Sequence, residues 1–145
     1  MSNESDEKRG VARAALEPAS VYEAVGGENG GPEAFAALVD AFYDGVAGDP
    51  VLRPLYPDDD LAHARENLTL FLIQYFGGPT AYAEKRGHPR LRMRHFPFAI
   101  GPVERDAWLR HMDAALDATS AFASVAPVMR RYFREAAHFL QNRPD

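Results

Sequence analysis

The 145-residue chain contains no cysteine and only one tryptophan. Without cysteine, disulfides, thiolate metal ligands, iron–sulfur clusters and cysteine nucleophiles are excluded together. Excess positive charge is also lacking: 16 Lys and Arg stand against 21 Asp and Glu, for a net charge of −5. No basic field is available to grip a phosphate backbone, so nucleic acid is not expected as a partner. No apolar run reaches bilayer length, and the opening MSNESDEKRG lacks the apolar segment of a secretory signal. A soluble, cytoplasmic protein with no membrane partner is therefore expected. Walker loops, GxGxxG, HExxH and a serine nucleophile elbow are missing too, which removes the commonest enzyme signatures.

What is present reads as helix. The length suits one domain, and no segment alternates with the two-residue period of a strand. Residues 1–18 have almost no large apolar side chains and are expected to form a disordered tail, leaving a domain over 19–145. Ser20 and Glu23 have capping-box spacing, and Gly26-Gly27 should stop the first helix after little more than a turn. Pro32 suits a first helical position, followed by an apolar face of Phe35, Leu38, Val39, Phe42 and Val46 with Tyr43 on its shoulder. A proline-rich corner carries Tyr56 and ends in Asp58, Asp59 and Asp60, acids suited to cap the next helix. That helix places Leu61, Ala64, Leu68, Phe71, Leu72 and Tyr75 on one stripe and breaks at Gly77-Gly78-Pro79. A short helix from Pro89 puts Leu91 and His95 on one face and ends at Pro97. Two further helices turn inward Val103 or Ala107, with Trp108, Met112, Ala115 and Leu116, and then Met129, Tyr132, Phe133, Ala136 and Leu140. The fold class is all-α.

No two of the five histidines have the i, i+4 spacing that places a metal between adjacent turns of a helix. His63, His88, His111 and His138 read as rim, cap or packing residues. His95 stands apart in LRMRHFPF, between cations at Arg92 and Arg94 and a Phe-Pro-Phe cover. Taken alone, that pattern is more often a packed core histidine than an axial ligand. A planar, doubly carboxylated cofactor would nevertheless want an axial imidazole, apolar walls and arginines at its edge, all of which this stretch can supply. Tyr43, Tyr56 and Trp108 have apolar bodies and polar tips, so they suit either a core or a pocket that donates hydrogen bonds to a bound diatomic molecule.

The stretches FYDGVAGDPVLRPLYPDDDL, FLIQYFGGP, RGHPRLRMRHFPF and ERDAWLRHM occur in the order and spacing of group II truncated haemoglobins, and from Ser20 onward the chain resembles that bacterial family. The resemblance implies a truncated globin, a two-over-two helical sandwich around haem b. It implies His95 as the proximal iron ligand, Trp108 as the tryptophan that marks the group, and Tyr56 and Tyr43 as the distal tyrosines. Ala64 falls where a classical globin has its distal histidine, with Leu68 and Phe71 further along the same helix. Arg94 is the implied propionate contact and Tyr82 a weaker one; Leu91, Phe98 and Met112 complete the expected cofactor contacts. Phe76 and Phe96 depart from the residues common in relatives, and Phe96 could tilt the imidazole.

The function implied is binding of O2, and of NO and CO as further small ligands, at a five-coordinate iron, with high O2 affinity and NO dioxygenation as an associated activity. An unidentified reductase would be the redox partner, and a homodimer is one option for the assembly. Two alternatives remain at this stage: a peroxidase-like haem enzyme, disfavoured by the lack of an inward distal His or Arg, and a cofactor-free helical interaction module.

Overall fold

The computed structural model describes residues 17–57 and 61–145. The expected tail therefore lies outside the described residues except for its last two positions, and the capping acids Asp58 to Asp60 lie outside them altogether. Seven α-helices follow in chain order: α1 Val21–Ala24, α2 Gly31–Ala47, α3 Ala62–Tyr75, α4 Ala81–Arg86, α5 Leu91–His95, α6 Pro102–Ala118 and α7 Ala126–Leu140, with single 3-10 turns at Pro18–Ser20, Arg53–Leu55 and Ser120–Phe122. Among the described residues there is no strand and no helix long and apolar enough to cross a membrane.

Two helix pairs, α2 with α3 and α6 with α7, form the layers, and α2 packs on α6 to join them. Phe35, Leu38, Val39, Phe42 and Val46 of α2 are fully buried, as the 3.6-residue period requires. Phe35 sits at the centre of an aromatic cluster, its ring 6.3 Å from Tyr22, 6.0 Å from Phe76 and 5.1 Å from Phe122. Truncating such a ring costs about 3–5 kcal/mol through lost transfer energy and the cavity left behind.

Several expectations are corrected. Ser20 makes no side-chain cap to α1; the Tyr22 N–H instead bonds the Phe76 carbonyl at 2.9 Å, tying the chain entry to the end of α3. Tyr75, expected on the inward stripe, is 40 % exposed. Helix α3 ends at Tyr75 and the chain turns at Gly77, whose φ is +99°, so Ile73 and Phe76 take the buried places. On α6 Ala107 faces the core and Val103 faces solvent, which settles that pair. Helix α3 is preceded by Leu61 at φ +59°, a left-handed turn for a residue that is itself buried. Helix α5 is preceded by Arg90 at φ +46°, so Pro89 stands before the helix and not in its first turn. Both are sparsely populated conformations that tertiary contacts must hold.

Candidate functional site

A cavity of about 240 Å³ lies between the helices. Its wall is built from α2 (Tyr43), the corner (Leu52, Leu55, Tyr56), α3 (Leu68, Phe71, Leu72), α5 (Leu91, His95), the following loop (Phe98, Ile100), α6 (Arg105, Trp108) and α7 (Tyr132, Ala136, Leu140). The structure thus brings together His95, Tyr43, Tyr56, Trp108, Leu68, Phe71, Leu91 and Phe98 around one space.

On the His95 side, Nδ1 lies 2.7 Å from the Leu91 carbonyl. A carbonyl only accepts, so Nδ1 carries the proton and donates. The four-residue helical spacing makes this bond, and it leaves Nε2 as the lone-pair nitrogen, the form of imidazole that binds a metal. The loop after it turns Phe98 into the wall, whereas Phe96 is 77 % exposed and not part of that wall.

The hydrogen-bonding groups come from three elements. Tyr43 and Tyr56 meet edge to face with centroids 5.5 Å apart, and Trp108 packs between Phe42 at 5.0 Å and Phe133 at 5.7 Å. The Tyr43 hydroxyl and the Trp108 indole both lie close enough to the Tyr56 hydroxyl to influence its ionisation. Burial raises the Tyr56 pKa above the ordinary phenol value, against the opposing influence of Tyr43 and Trp108. Burial, and then Tyr56 itself, push Tyr43 far up. Both phenols therefore stay protonated at neutral pH. Tyr56, on the cavity wall, thus keeps an O–H that can donate to a guest.

The corner carrying Tyr56 is anchored by Asp49, only 7 % exposed. Its Oδ1 accepts the Val51 N–H at 2.7 Å and the Leu52 N–H at 3.3 Å, while Oδ2 meets His111 Nε2 at 2.6 Å and the Arg110 guanidinium at 3.4 Å. The His111 bond, then the Val51 N–H, hold the Asp49 carboxyl below its ordinary range. His111 lies one turn beyond Trp108 on α6, so this link fixes the corner's Tyr56 against the helix that carries the indole.

Four expected contacts are not on the cavity wall. Met112 is fully buried one turn behind Trp108, in the α2–α6 core. Tyr82 is buried but packs on the back of Phe71 at 5.5 Å. Ala64, in the first turn of α3, packs against the core without lining that wall. Arg94 closes its own loop, Nε donating to Pro89 O at 2.7 Å and a terminal nitrogen to Arg86 O at 3.0 Å. The cation that does line the cavity is Arg105, anchored to Gln141 at 2.7 Å. Its position near the start of α6 gave no local signal. Tyr132, Ala136 and Leu140 were readable as an inward stripe, but not as one facing an open space.

Aromatic and aliphatic walls, one imidazole with a free lone pair, a cluster of neutral donors and an edge arginine are the chemistry a haem requires, so the residues present fit that group. The comparisons agree. The family model for bacterial-like globins matches residues 20–142. The group 2 truncated haemoglobin YjbI of Bacillus subtilis is 47 % identical over 66 % of this chain and 68 % of its own. The crystal structure of a haemoglobin from Chloroflexus aurantiacus superimposes with a TM-score of 0.79 at 53 % identity, covering 88 % of this chain and all (100 %) of that one. A truncated oxygen-avid haemoglobin from Bacillus subtilis does so with a TM-score of 0.75 at 38 % identity, covering 83 % of this chain and 98 % of that one.

Proposed function

Because the chain belongs to the bacterial-like globin family and to its group II truncated haemoglobins, a family of haem proteins that bind small gaseous ligands, we propose that it holds haem b through His95 and retains O2 tightly. The observation that carries this reading is the Nδ1 bond of His95 to Leu91 O, which presents the remaining ring nitrogen in a cavity that also contains Tyr43, Tyr56 and Trp108. When bound, the haem supplies the iron that takes a diatomic ligand. The protein's part is to fix the imidazole tautomer, exclude water with Leu68, Phe71 and Phe98, and aim the donors of Tyr56 and Trp108 at a polarised guest. Arg105, on the cavity wall, is the cation that would meet a carboxylate at the haem edge.

A hydrogen bond to a charged acceptor contributes about 1.5–3 kcal/mol, and two such bonds slow ligand escape by orders of magnitude. Slow release suits chemistry on the retained ligand better than oxygen delivery. NO dioxygenation by the oxygenated protein, with a separate reductase as electron donor, is the activity we assign on that ground. The relative described as oxygen-avid supports the same reading.

Absorption spectra of the purified protein, oxidised, dithionite-reduced and with carbon monoxide, test the proposal. A Soret band that shifts with reduction and with CO is expected, and its absence would leave a cofactor-free helical module. His95→Gly should lose haem unless imidazole is added. A normal five-coordinate ferrous spectrum in that variant without imidazole would overturn the ligand assignment.

A further inference from the structure

The helix that carries His95 is not self-supporting. Helix α5 has five residues and none of them is buried, far below the length of about 12–15 residues at which an isolated helix persists. It starts from a left-handed Arg90. Something outside it must hold the histidine in place.

On the N-terminal side, Arg94 bonds the Arg86 and Pro89 carbonyls. On the C-terminal side, the bracket comes from the far end of the chain. Asn142, two residues past the end of α7, accepts the Ile100 N–H on Oδ1 at 2.8 Å. Its amide nitrogen donates to the Phe98 carbonyl at 2.7 Å and, more loosely, to the carbonyl of His95 itself at 3.5 Å. The backbone N–H groups of Asn142 and Arg143 both close on the Ile100 carbonyl, at 2.8 and 3.1 Å. One planar amide thus meets an acceptor and a donor requirement of the loop together, which neither a carboxylate nor a hydrocarbon of the same size can do.

We propose that Asn142 is a positioning residue for the iron-binding imidazole: it fixes the loop 95–100 so that His95 and the cavity-lining Phe98 and Ile100 are held as one unit. The inference rests on His95 being the iron ligand. Asn142 touches neither the cofactor nor its guest, and acts only through the backbone on either side of Pro97.

Resonance Raman spectra of the ferrous, ligand-free holoprotein report the iron–histidine stretch, and transfer of haem to excess apomyoglobin reports retention. In Asn142→Leu and in the near-isosteric Asn142→Asp, the stretch should shift and broaden, and haem transfer should accelerate about tenfold for the loss of one to two net hydrogen bonds. His138→Ala, an exposed change on the last turn of α7 away from the cavity wall and the bracket, should change neither band nor rate. If Asn142→Leu does not fold, Asn142→Asp carries the test, since it loses the two donated bonds while keeping the volume. An iron–histidine band that is present and unmoved in Asn142→Asp, with unchanged haem transfer, overturns the role of Asn142. No such band in the unsubstituted protein overturns the ligand assignment as well, so the two failures are distinguishable.

Discussion

Replacing Trp108 by Phe removes one N–H and little else from the cavity wall. The indole packs between Phe42 and Phe133 with centroids 5.0 and 5.7 Å away, so a phenyl ring keeps both neighbours and leaves a partial void costing about 1–2 kcal/mol of stability. The kinetic effect is separable from that cost. One hydrogen bond to a polarised ligand, at about 1.5–3 kcal/mol, corresponds to roughly a ten- to 150-fold faster dissociation. The indole has a single N–H, however, and the neighbouring Tyr56 oxygen competes with a guest for it. A guest gains only the difference between two acceptors, which puts the expected acceleration at the lower end, about tenfold. Tyr56→Phe removes the hydroxyl beside both Tyr43 and Trp108, so the double variant should fall short of the product of the single effects, as interacting neighbours do. Stopped-flow displacement of O2 by CO on the four proteins measures this. Dissociation from Trp108→Phe within about twofold of the unsubstituted protein, at a magnitude below any single charged hydrogen bond, would refute the reasoning even with haem in place.

Two further outcomes concern the Asp49 anchor. Its carboxyl is held below the ordinary value of 3.8, first by His111 and then by the Val51 N–H; a depressed folded pKa gives stability that is complete above the unfolded value and lost as pH falls through the folded one. Urea melts from neutral pH down to about pH 3 should therefore show the unsubstituted protein losing more stability than Asp49→Asn below about pH 4, and parallel curves would exclude the link as a source of acid sensitivity. Gly45 of α2 faces His111, and an added Cβ would run into the imidazole Nδ1. Glycine to alanine in a helix interior usually stabilises by about 0.5–1 kcal/mol, so a lowered melting temperature for Gly45→Ala marks the His111 seat, and a raised one would show that the ring can simply move aside.

Helix periodicity carried most of the architecture because each long helix buries one face, and the faces of α2 and α6 were readable residue by residue. It failed where a helix ends. Tyr75 has the spacing of an inward residue, but the Gly77 turn decides the last positions of α3. Local patterning put Leu91 and His95 on one face, one turn apart, but left His95 and the aromatic residues open between core and pocket; the family resemblance singled them out. It could not reach Asn142 or Arg105, since their meaning comes from contacts 42 and 36 residues distant along the chain. Arg94 shows the opposite case: adjacent to His95 in sequence, it bonds the carbonyls of Pro89 and Arg86 and does not line the cavity.

Phe42 is fully buried, never reaches the cavity, and touches both sides of the donor cluster, its ring 4.9 Å from Tyr43 and 5.0 Å from Trp108. Close-packed interiors transmit the loss of even one methylene, so the separation of the two polar tips is set by a hydrocarbon between them. Heritable variation in gas release therefore does not require changes in any group that can donate a proton. A lineage under pressure for faster or slower turnover could explore a graded series of rates by exchanging Phe42 for leucine or methionine, leaving the chemistry of the pocket intact while its dimensions drift.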